Sequence, residues 1–306
     1  MRVVIAGGRG FLGLPLAQRL SAEGHDVLIL TRRRDFMAGH GRVRAITWTP
    51  HGEAGGWASE IDGAGAVVNL AGESIGAKRW TAGRKQRILE SRLLATRSMV
   101  AAIRRAAVPP SVLVNGSAVG YYGPHGDEIV TEETRAGADF LAHVCVQWEA
   151  EAERASSDRT RVVCMRTGLV LETSGGALPR MLPPFRLGVG GPLGTGHQYW
   201  PWIHRDDWMA LVRWTIQSPS VSGPVNATAP QPVTNQEFAA ALGRAIRRPA
   251  LLPMPAFALR LILGEMADGL LLSGQRAVPQ RAERGGFTFR YAHVDEALQA
   301  VLKTSS

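Results

Sequence analysis

The chain has 306 residues, 45% of them apolar, which is enough to bury the core of one large domain or of two ordinary ones. Two cysteines, Cys145 and Cys164, are too few for a disulfide framework in a chain of this length and indicate a reducing compartment. The formal net charge is +9, but the basic residues are scattered and not interleaved with aromatics, so no nucleic-acid partner is expected.

Membrane and targeting signals are also missing from the pattern. The apolar start is only five residues long and runs directly into glycines, unlike a secretory signal. The most apolar later stretch, 251–272, is interrupted by prolines and charged residues. We therefore expect a cytoplasmic protein with no membrane partner.

The first 35 residues are organised as a strand, a glycine-rich turn, a helix and a second strand. Arg2–Ala6 is a short apolar strand, and helix-spaced apolar residues follow over Leu14–Ala22. Asp26–Leu30 is the second apolar strand. A βαβ unit with glycines at its first turn is the form that a dinucleotide-binding site takes, although such turns also occur for purely steric reasons.

Three glycines of this turn have separate expected roles. Gly7 permits the tight turn, and Gly10 lets the backbone approach a pyrophosphate. Gly13 lets the helix pack closely on the strand, and the helix N-terminus offers free N–H groups to phosphates. These residues predict a cofactor site.

The second strand ends in Thr31, Arg32, Arg33 and Arg34. A protein that binds unphosphorylated NAD usually has Asp or Glu here, to accept hydrogen bonds from the ribose. Guanidinium groups suit a 2′-phosphate, so the sequence predicts NADP(H), with a solvated basic loop as the alternative.

Strands continue to alternate with helices up to Gly168. Further strands are predicted over Val43–Trp48, Ala66–Leu70, Val112–Val114 and Arg161–Arg166. Helices are predicted over Phe140–Ala155 and from Thr81, a candidate N-cap, to Ala107. This alternation predicts an α/β fold with a doubly wound, parallel Rossmann-type sheet. We place the dinucleotide-binding domain at 1–168, with 204–230 returning to it.

Hydroxyl groups follow the strand that begins at Val112. Ser117 and Tyr121 lie at or just beyond its end, where they are candidates for polarising a substrate carbonyl. A capping or turn role for Ser117 is an equal alternative. No metal site is predicted.

The remaining residues, 169–203 and 231–306, are assigned to a smaller, mostly helical lobe on the substrate side. Tyr199–Asp207 is rich in aromatic and acidic residues and predicts either a pocket wall or a packed corner whose Asp207 caps the next helix. Thr234 and Glu237 have the spacing of a capping box.

Together these residues resemble the extended short-chain dehydrogenase/reductases, in their nucleotide-sugar-epimerase-like branch. The match rests on Gly7-x-x-Gly10-Phe11-x-Gly13, Asn69-Leu70-Ala71-Gly72, the strand ending at Ser117, and Ile203-His204-x-Asp206-Asp207. More narrowly the chain is similar to the YfcH-like "epimerase family" proteins, which end in a domain of unknown function; the phrases concerned are Glu90-Ser91-Arg92, Pro183-Pro184-Phe185-Arg186-Leu187-Gly188, Gly194-x-Gly196-His197-Gln198, Pro201-Trp202-Ile203-His204 and Pro279-Gln280-Arg281.

The resemblance implies a set of NADP(H) contacts and a mode of assembly. The implied cofactor residues are Gly7, Gly10, Phe11, Leu12, Gly13, Thr31, Arg32, Leu70, Ala71, Gly72, Arg92 and, near the nicotinamide, Val170. By the same analogy the protein is a monomer or a homodimer paired through its long helices.

The chain departs from that family at one place. Active members carry Tyr-x-x-x-Lys on the helix after the serine strand, where the lysine and cofactor lower the tyrosine pKa. Aligning Glu149 with the acid that often follows the lysine places Leu141 and Cys145 at those positions, and neither can perform that chemistry. Two hypotheses follow: an atypical NADP(H)-dependent oxidoreductase on an unidentified small substrate, or a catalytically silent NADP(H) sensor.

Overall fold

A seven-stranded sheet lies at the centre of the structure, a computed structural model that describes residues 1–33 and 42–303. The described residues form thirteen strands, seven of them in the central sheet. They are β1 (Arg2–Ala6), β2 (Asp26–Thr31), β3 (Val43–Thr47), β4 (Ala66–Asn69), β5 (Val112–Ala118), β6 (Ile129–Val130), β7 (Arg161–Thr167), β8 (Leu169–Leu171), β9 (Tyr199–Trp200), β10 (Trp202–His204), β11 (Gly223–Ala227), β12 (Val233–Thr234) and β13 (Arg276–Ala277). The central order is β11-β7-β5-β4-β1-β2-β3, and every pair in it is parallel. The predicted doubly wound sheet is confirmed.

Ten α-helices accompany the strands in the described residues. They are α1 (Gly13–Ala22), α2 (Ala82–Arg105), α3 (Phe140–Glu153), α4 (Leu178–Arg186), α5 (Arg205–Gln217), α6 (Asn235–Ile246), α7 (Ala256–Leu263), α8 (Glu265–Ala267), α9 (Gln280–Arg284) and α10 (Val294–Lys303). Four of the last five lie beyond residue 250, so the predicted helical character of the C-terminal part is confirmed.

Two apolar layers cover the sheet, because its strands are apolar on both faces. On one face Leu16 of α1 and Trp208 of α5 pack with Ile5. On the other face Met99 of α2 packs with Val4. This arrangement leaves the carboxyl ends of the strands, where α/β sheets bind ligands, in one row.

The C-terminal part has a separate core. Phe185 of α4, Phe238 of α6 and Leu298 of α10 meet around Trp202. The strand β11 pairs with β7, so the chain returns to the main sheet after α5. The domain bounds at 168, 203 and 231 stay predictions.

Local signals fixed several helix ends. Thr81 accepts the Arg84 N–H at 3.2 Å at the start of α2. Thr234 and Glu237 form the predicted capping box, with bonds of 3.2 Å and 2.7 Å between each side chain and the other's backbone N–H. Both predictions are confirmed, because a cap depends only on residues three apart.

Candidate functional site

The glycine turn between β1 and α1 forms a tightly packed cradle. Gly7 has φ of +74°, and its carbonyl accepts the Gly10 N–H at 2.9 Å. A Cβ on Gly13 would lie 2.5 Å from the Gly7 oxygen, and one on Gly7 would lie 2.8 Å from the Leu70 carbonyl. Any side chain here would therefore separate the turn, the helix and the end of β4.

The first turn of α1 is suited to an anion. No side chain caps the helix at Leu12, and no acidic residue lies in its first turn. The partial positive charge of this helix end is therefore not neutralised by any side chain of the first turn. The cradle and the uncapped helix fit the pyrophosphate of a dinucleotide.

Phe11 joins this turn to the segment after β8. A Cβ on Gly175 would lie 2.5 Å from its ring, and one on Gly176 would lie 3.1 Å from the ring and 3.6 Å from the Val170 carbonyl. Val170 itself is buried, in a strand beside Ile203. The fold thus brings the Val170 strand near the Phe11 ring, and the implied contact of Val170 with the nicotinamide stays a prediction.

The end of β2 lies beside the glycine turn because β2 pairs with β1. Thr31 is buried there, and its hydroxyl accepts the Arg33 N–H at 3.2 Å. Arg32 is exposed, as a guanidinium that meets a 2′-phosphate must be. Arg34 lies outside the described residues.

The end of β4 is held by Arg92 of α2. A Cβ on Gly72 would lie 3.2 Å from the Arg92 Cγ. The guanidinium donates from Nη1 to the carbonyls of Glu73 at 3.1 Å and Ile88 at 2.9 Å. Burial lowers the Arg92 pKa. These contacts position the loop after Ala71, and a direct contact between Arg92 and a cofactor stays a prediction.

Ser117 lies within β5, three residues beyond the predicted strand end, and is buried. Its hydroxyl donates to the Glu149 Oε1 at 2.6 Å. Arg166 of β7 donates to the same carboxylate from Nε at 2.9 Å and from Nη2 at 2.8 Å. Burial acts to lower the Arg166 pKa, but the contributions of Glu149 and Tyr122 together outweigh burial and raise it. The Ser117 hydroxyl is thus hydrogen-bonded to a carboxylate that is also ion-paired with Arg166.

The same network continues to β11. Arg166 donates from Nη1 to the Tyr122 hydroxyl at 3.1 Å, and that hydroxyl donates to the Asn226 Oδ1 at 2.6 Å. The Glu132 carboxylate accepts the Asn226 N–H at 3.0 Å. Burial raises the pKa of Tyr122 to about 12, so its phenol stays protonated near neutral pH.

Tyr121 faces a separate cavity. Its ring lies 3.4 Å from the Arg166 Cζ. With Glu149, Glu153 and Pro224 it lines a surface cavity of about 280 Å³, whose lining includes no residue of the glycine turn. The role of Tyr121 in polarising a substrate carbonyl therefore stays a prediction, and this cavity does not connect it to the glycine turn.

The two helix positions expected to carry tyrosine and lysine are apolar and closely packed. The Leu141 Cβ lies 3.1 Å from where a Cβ on Gly120 would be. The Cys145 thiol is directed at the Ala118 carbonyl, 3.7 Å away. Burial raises the Cys145 pKa to about 11, which keeps it a neutral thiol.

A second buried network fixes α2 and α3 to the sheet. Asn69 donates from Nδ2 to the Thr96 hydroxyl at 2.9 Å and to the Asn115 Oδ1 at 2.7 Å. The Trp148 indole N–H donates to the same Thr96 hydroxyl at 2.9 Å. Sequence reasoning missed both networks; the one available signal was a polar residue inside an apolar strand, as at Asn69 and Arg166.

The aromatic and acidic segment is a packed corner. His204 caps α5, since its Nδ1 accepts the Asp206 N–H at 3.0 Å, and its ring stacks on Tyr291 with 4.0 Å between centroids. The prediction that Asp207 caps this helix is wrong. Asp207 instead accepts the N–H groups of Arg290 and Tyr291, each at 2.9 Å. Burial raises the Asp207 pKa and lowers that of His204.

Residues 1–33 and 42–303 contain neither a metal-binding cluster nor a membrane-spanning helix. No cluster of three or more His, Cys, Asp or Glu side chains there has an arrangement that could hold a metal ion. No helix in those ranges is both long enough and apolar enough to cross a bilayer.

The parallel sheet, the glycine cradle and the serine-bearing strand together define an extended short-chain dehydrogenase/reductase. The chain belongs to the NAD dependent epimerase/dehydratase family, whose model matches residues 3–227. Residues 254–301 match a domain of unknown function, DUF1731.

Relatives match over nearly the whole chain. Epimerase family protein MT2273 of Mycobacterium tuberculosis is 43% identical over 298 residues, which are 97% of this chain and 96% of that protein. The chloroplastic SDR39U1 homolog of Arabidopsis thaliana is 40% identical over 99% of this chain and 87% of its own length. The crystal structure of human epimerase family protein SDR39U1 (isoform 2) with NADPH superposes with a TM-score of 0.90 at 36% identity, covering 99% of each chain.

Proposed function

We propose that this chain binds NADP(H) across the glycine cradle and is an atypical oxidoreductase acting on a small, polar substrate. The observation that carries the cofactor is the cradle itself, where Gly7 and Gly13 let the turn, α1 and the end of β4 pack closely and the uncapped N-terminus of α1 offers positive charge to a pyrophosphate. The NADPH in the human relative's structure supports the same assignment.

Residues at the carboxyl ends of the strands have separate roles in binding the cofactor and the substrate. Arg32 supplies a charge for the 2′-phosphate, and the loop after Leu70 and Ala71, fixed by Arg92, bounds the cradle on the other side. The bound cofactor would supply or accept a hydride at its nicotinamide. Ser117 is the candidate for orienting a substrate oxygen, because β5 is the next strand beyond β4.

The second candidate is an NADP(H) sensor without turnover. It is favoured by Leu141 and Cys145 in place of the tyrosine and lysine, and by the Ser117 hydroxyl bound to Glu149. A sensor needs the cradle but none of the proton chemistry.

Calorimetric titration with NADPH and NADH tests the cofactor assignment. A phosphate held by one or two arginines is worth a few kcal/mol, so NADPH is expected to bind about 10- to 1000-fold more tightly. Arg32→Asp should remove that preference, whereas Arg104→Asp, an exposed change at the far end of α2, should keep it. If neither nucleotide binds the wild-type chain, the glycine turn is only structural and the proposal fails.

Ser117→Ala separates the enzyme from the sensor. A panel of small carbonyl compounds is screened for oxidation of NADPH by the wild type. Loss of that activity in the variant, with NADPH affinity unchanged, supports the enzyme. If no compound oxidises bound NADPH, the sensor is favoured.

Assembly and location complete the proposal. A cytoplasmic monomer, or a homodimer paired through α2 and α3, is proposed. Light scattering decides the assembly through the molar mass, and variants on the exposed side of α3, such as Val146→Glu, would lower that mass if the helices form the interface.

A further inference from the structure

One part of the C-terminal surface is unusually apolar for a folded chain. Seven large side chains there are each more than half exposed: Leu187, Val189, Leu251, Leu252, Phe257, Leu261 and Ile262. We call this set the apolar surface. The largest apolar patch of a typical monomer is a few hundred Å² and is often functional.

The segments that carry these residues adjoin one another. The Leu252 N–H donates to the Gly190 carbonyl at 3.3 Å, and the Met254 N–H donates to the Pro192 carbonyl at 2.8 Å. The segment after α4 therefore runs beside the segment that leads into α7. Phe257 and Leu261 are four residues apart on α7, so they lie on the same side of that helix.

Arginines border the apolar surface. Arg186 precedes Leu187, and Arg247 and Arg248 line a surface cavity of about 360 Å³ together with Leu251. None of these three arginines has an ion pair among the described residues, whereas Arg244 in the same cavity pairs with Asp295 at 2.7 Å. The lining of the cavity thus combines apolar residues with two arginines that have no ion pair among the described residues.

The backbone at this cavity is strained in a specific way. Arg247 has φ of 56° and is the one non-glycine residue with positive φ in the described part of the chain. Helices usually place glycine at such a position, because a Cβ is unfavourable there. The αL conformation ends α6 at Arg247, the residue whose side chain also lines this cavity.

We infer that this surface lies against a lipid bilayer that contains anionic headgroups, with Phe257 and Leu261 in the interface and Arg247 and Arg248 on the headgroup phosphates. Adjacent apolar and basic side chains are the pattern of proteins that lie on such a membrane. The sequence predicts no membrane partner because prolines and charges interrupt 251–272, but they prevent a spanning helix and not a docked one.

A second copy of the chain fits this surface less well. In a two-fold pair the same patch of both protomers forms the interface, so it would contain two sets of these unpaired arginines. Anionic phosphates compensate that charge, and a second copy does not.

Vesicle flotation of the full chain tests the inference, with phosphatidylcholine vesicles and vesicles that also contain phosphatidylglycerol. We expect binding to the second kind only, weakened by added salt. Phe257→Ser with Leu261→Ser, and separately Arg247→Glu with Arg248→Glu, should each lower the partition coefficient about tenfold or more.

Matched controls lie elsewhere on the surface. Val108→Ser replaces another exposed apolar residue, and Arg104→Glu with Arg105→Glu reverses two exposed arginines of α2. Binding that these controls leave intact supports the inference. Three results overturn it: no flotation with either vesicle, equal loss in the controls, or a dimer in light scattering that the Phe257 and Leu261 variant dissociates.

Discussion

Replacing Glu149 by glutamine tests whether the buried network stabilises the fold. The Glu149 carboxylate accepts three hydrogen bonds, one from Ser117 and two from Arg166. The side chains of Arg166 and Glu149 are only 4% and 13% exposed, so the arginine would stay buried without its partner. Removing one member of such a pair costs about 3–5 kcal/mol.

That cost is large compared with the whole stability of a folded protein, about 5–15 kcal/mol. Urea unfolding followed by tryptophan fluorescence measures it, since the chain has eight tryptophans. With an m-value of about 3 kcal/mol/M, Glu149→Gln should lower the urea midpoint by about 1–2 M and leave the m-value unchanged.

Two further variants make the test specific. Glu60→Gln removes a carboxylate from Arg44, whose side chain is 62% exposed, and should cost less than about 1 kcal/mol. Glu149→Leu with Arg166→Met removes both charges and should be more stable than Glu149→Gln alone. The reasoning is refuted if Glu149→Gln costs no more than Glu60→Gln.

Three other changes have definite expected outcomes. Gly13→Ala, with a Cβ 2.5 Å from the Gly7 oxygen, should weaken NADPH binding at least about tenfold in calorimetry, whereas Gly56→Ala, with open space around it, should not. Burial lowers the His204 pKa, so the unfolded chain takes up the proton first as pH falls, and stability should decline below about pH 6.5. His204→Asn keeps a capping acceptor and should flatten that decline, measured as the urea midpoint at each pH. Thr234→Ala should cost about 1 kcal/mol in the same unfolding assay, and a loss of under about 0.3 kcal/mol would contradict the capping box.

Features that depend on neighbouring residues were predictable from the sequence. The strand, glycine turn and helix at 2–22 are contiguous, and the Thr81 and Thr234 caps act within three residues. The arginines after β2 also predicted NADP(H) in agreement with the human relative's NADPH. In each case the residues that determine the feature lie in one short segment of the chain.

Features that join distant segments were not predictable. Glu149 served only to align a helix, yet it binds Ser117, 32 residues away, and Arg166, 17 residues away. Asp207 is of a residue type that often caps helices, but its carboxylate accepts the backbone N–H groups of residues 290 and 291 instead. Periodicity records which side of an element is apolar and not which buried polar groups will meet.

The packing of α3 restricts how a tyrosine and a lysine could be introduced at the two positions where the family resemblance expects them. Cys145 is 3% exposed, and its sulfur already lies against the Ala118 backbone. A lysine there would be longer by several atoms than the thiol it replaces, and a tyrosine at Leu141 would lie against the Gly120 turn. Two substitutions alone would therefore not create a working pair, and introducing the tyrosine and lysine would require remodelling the neighbouring turn as well.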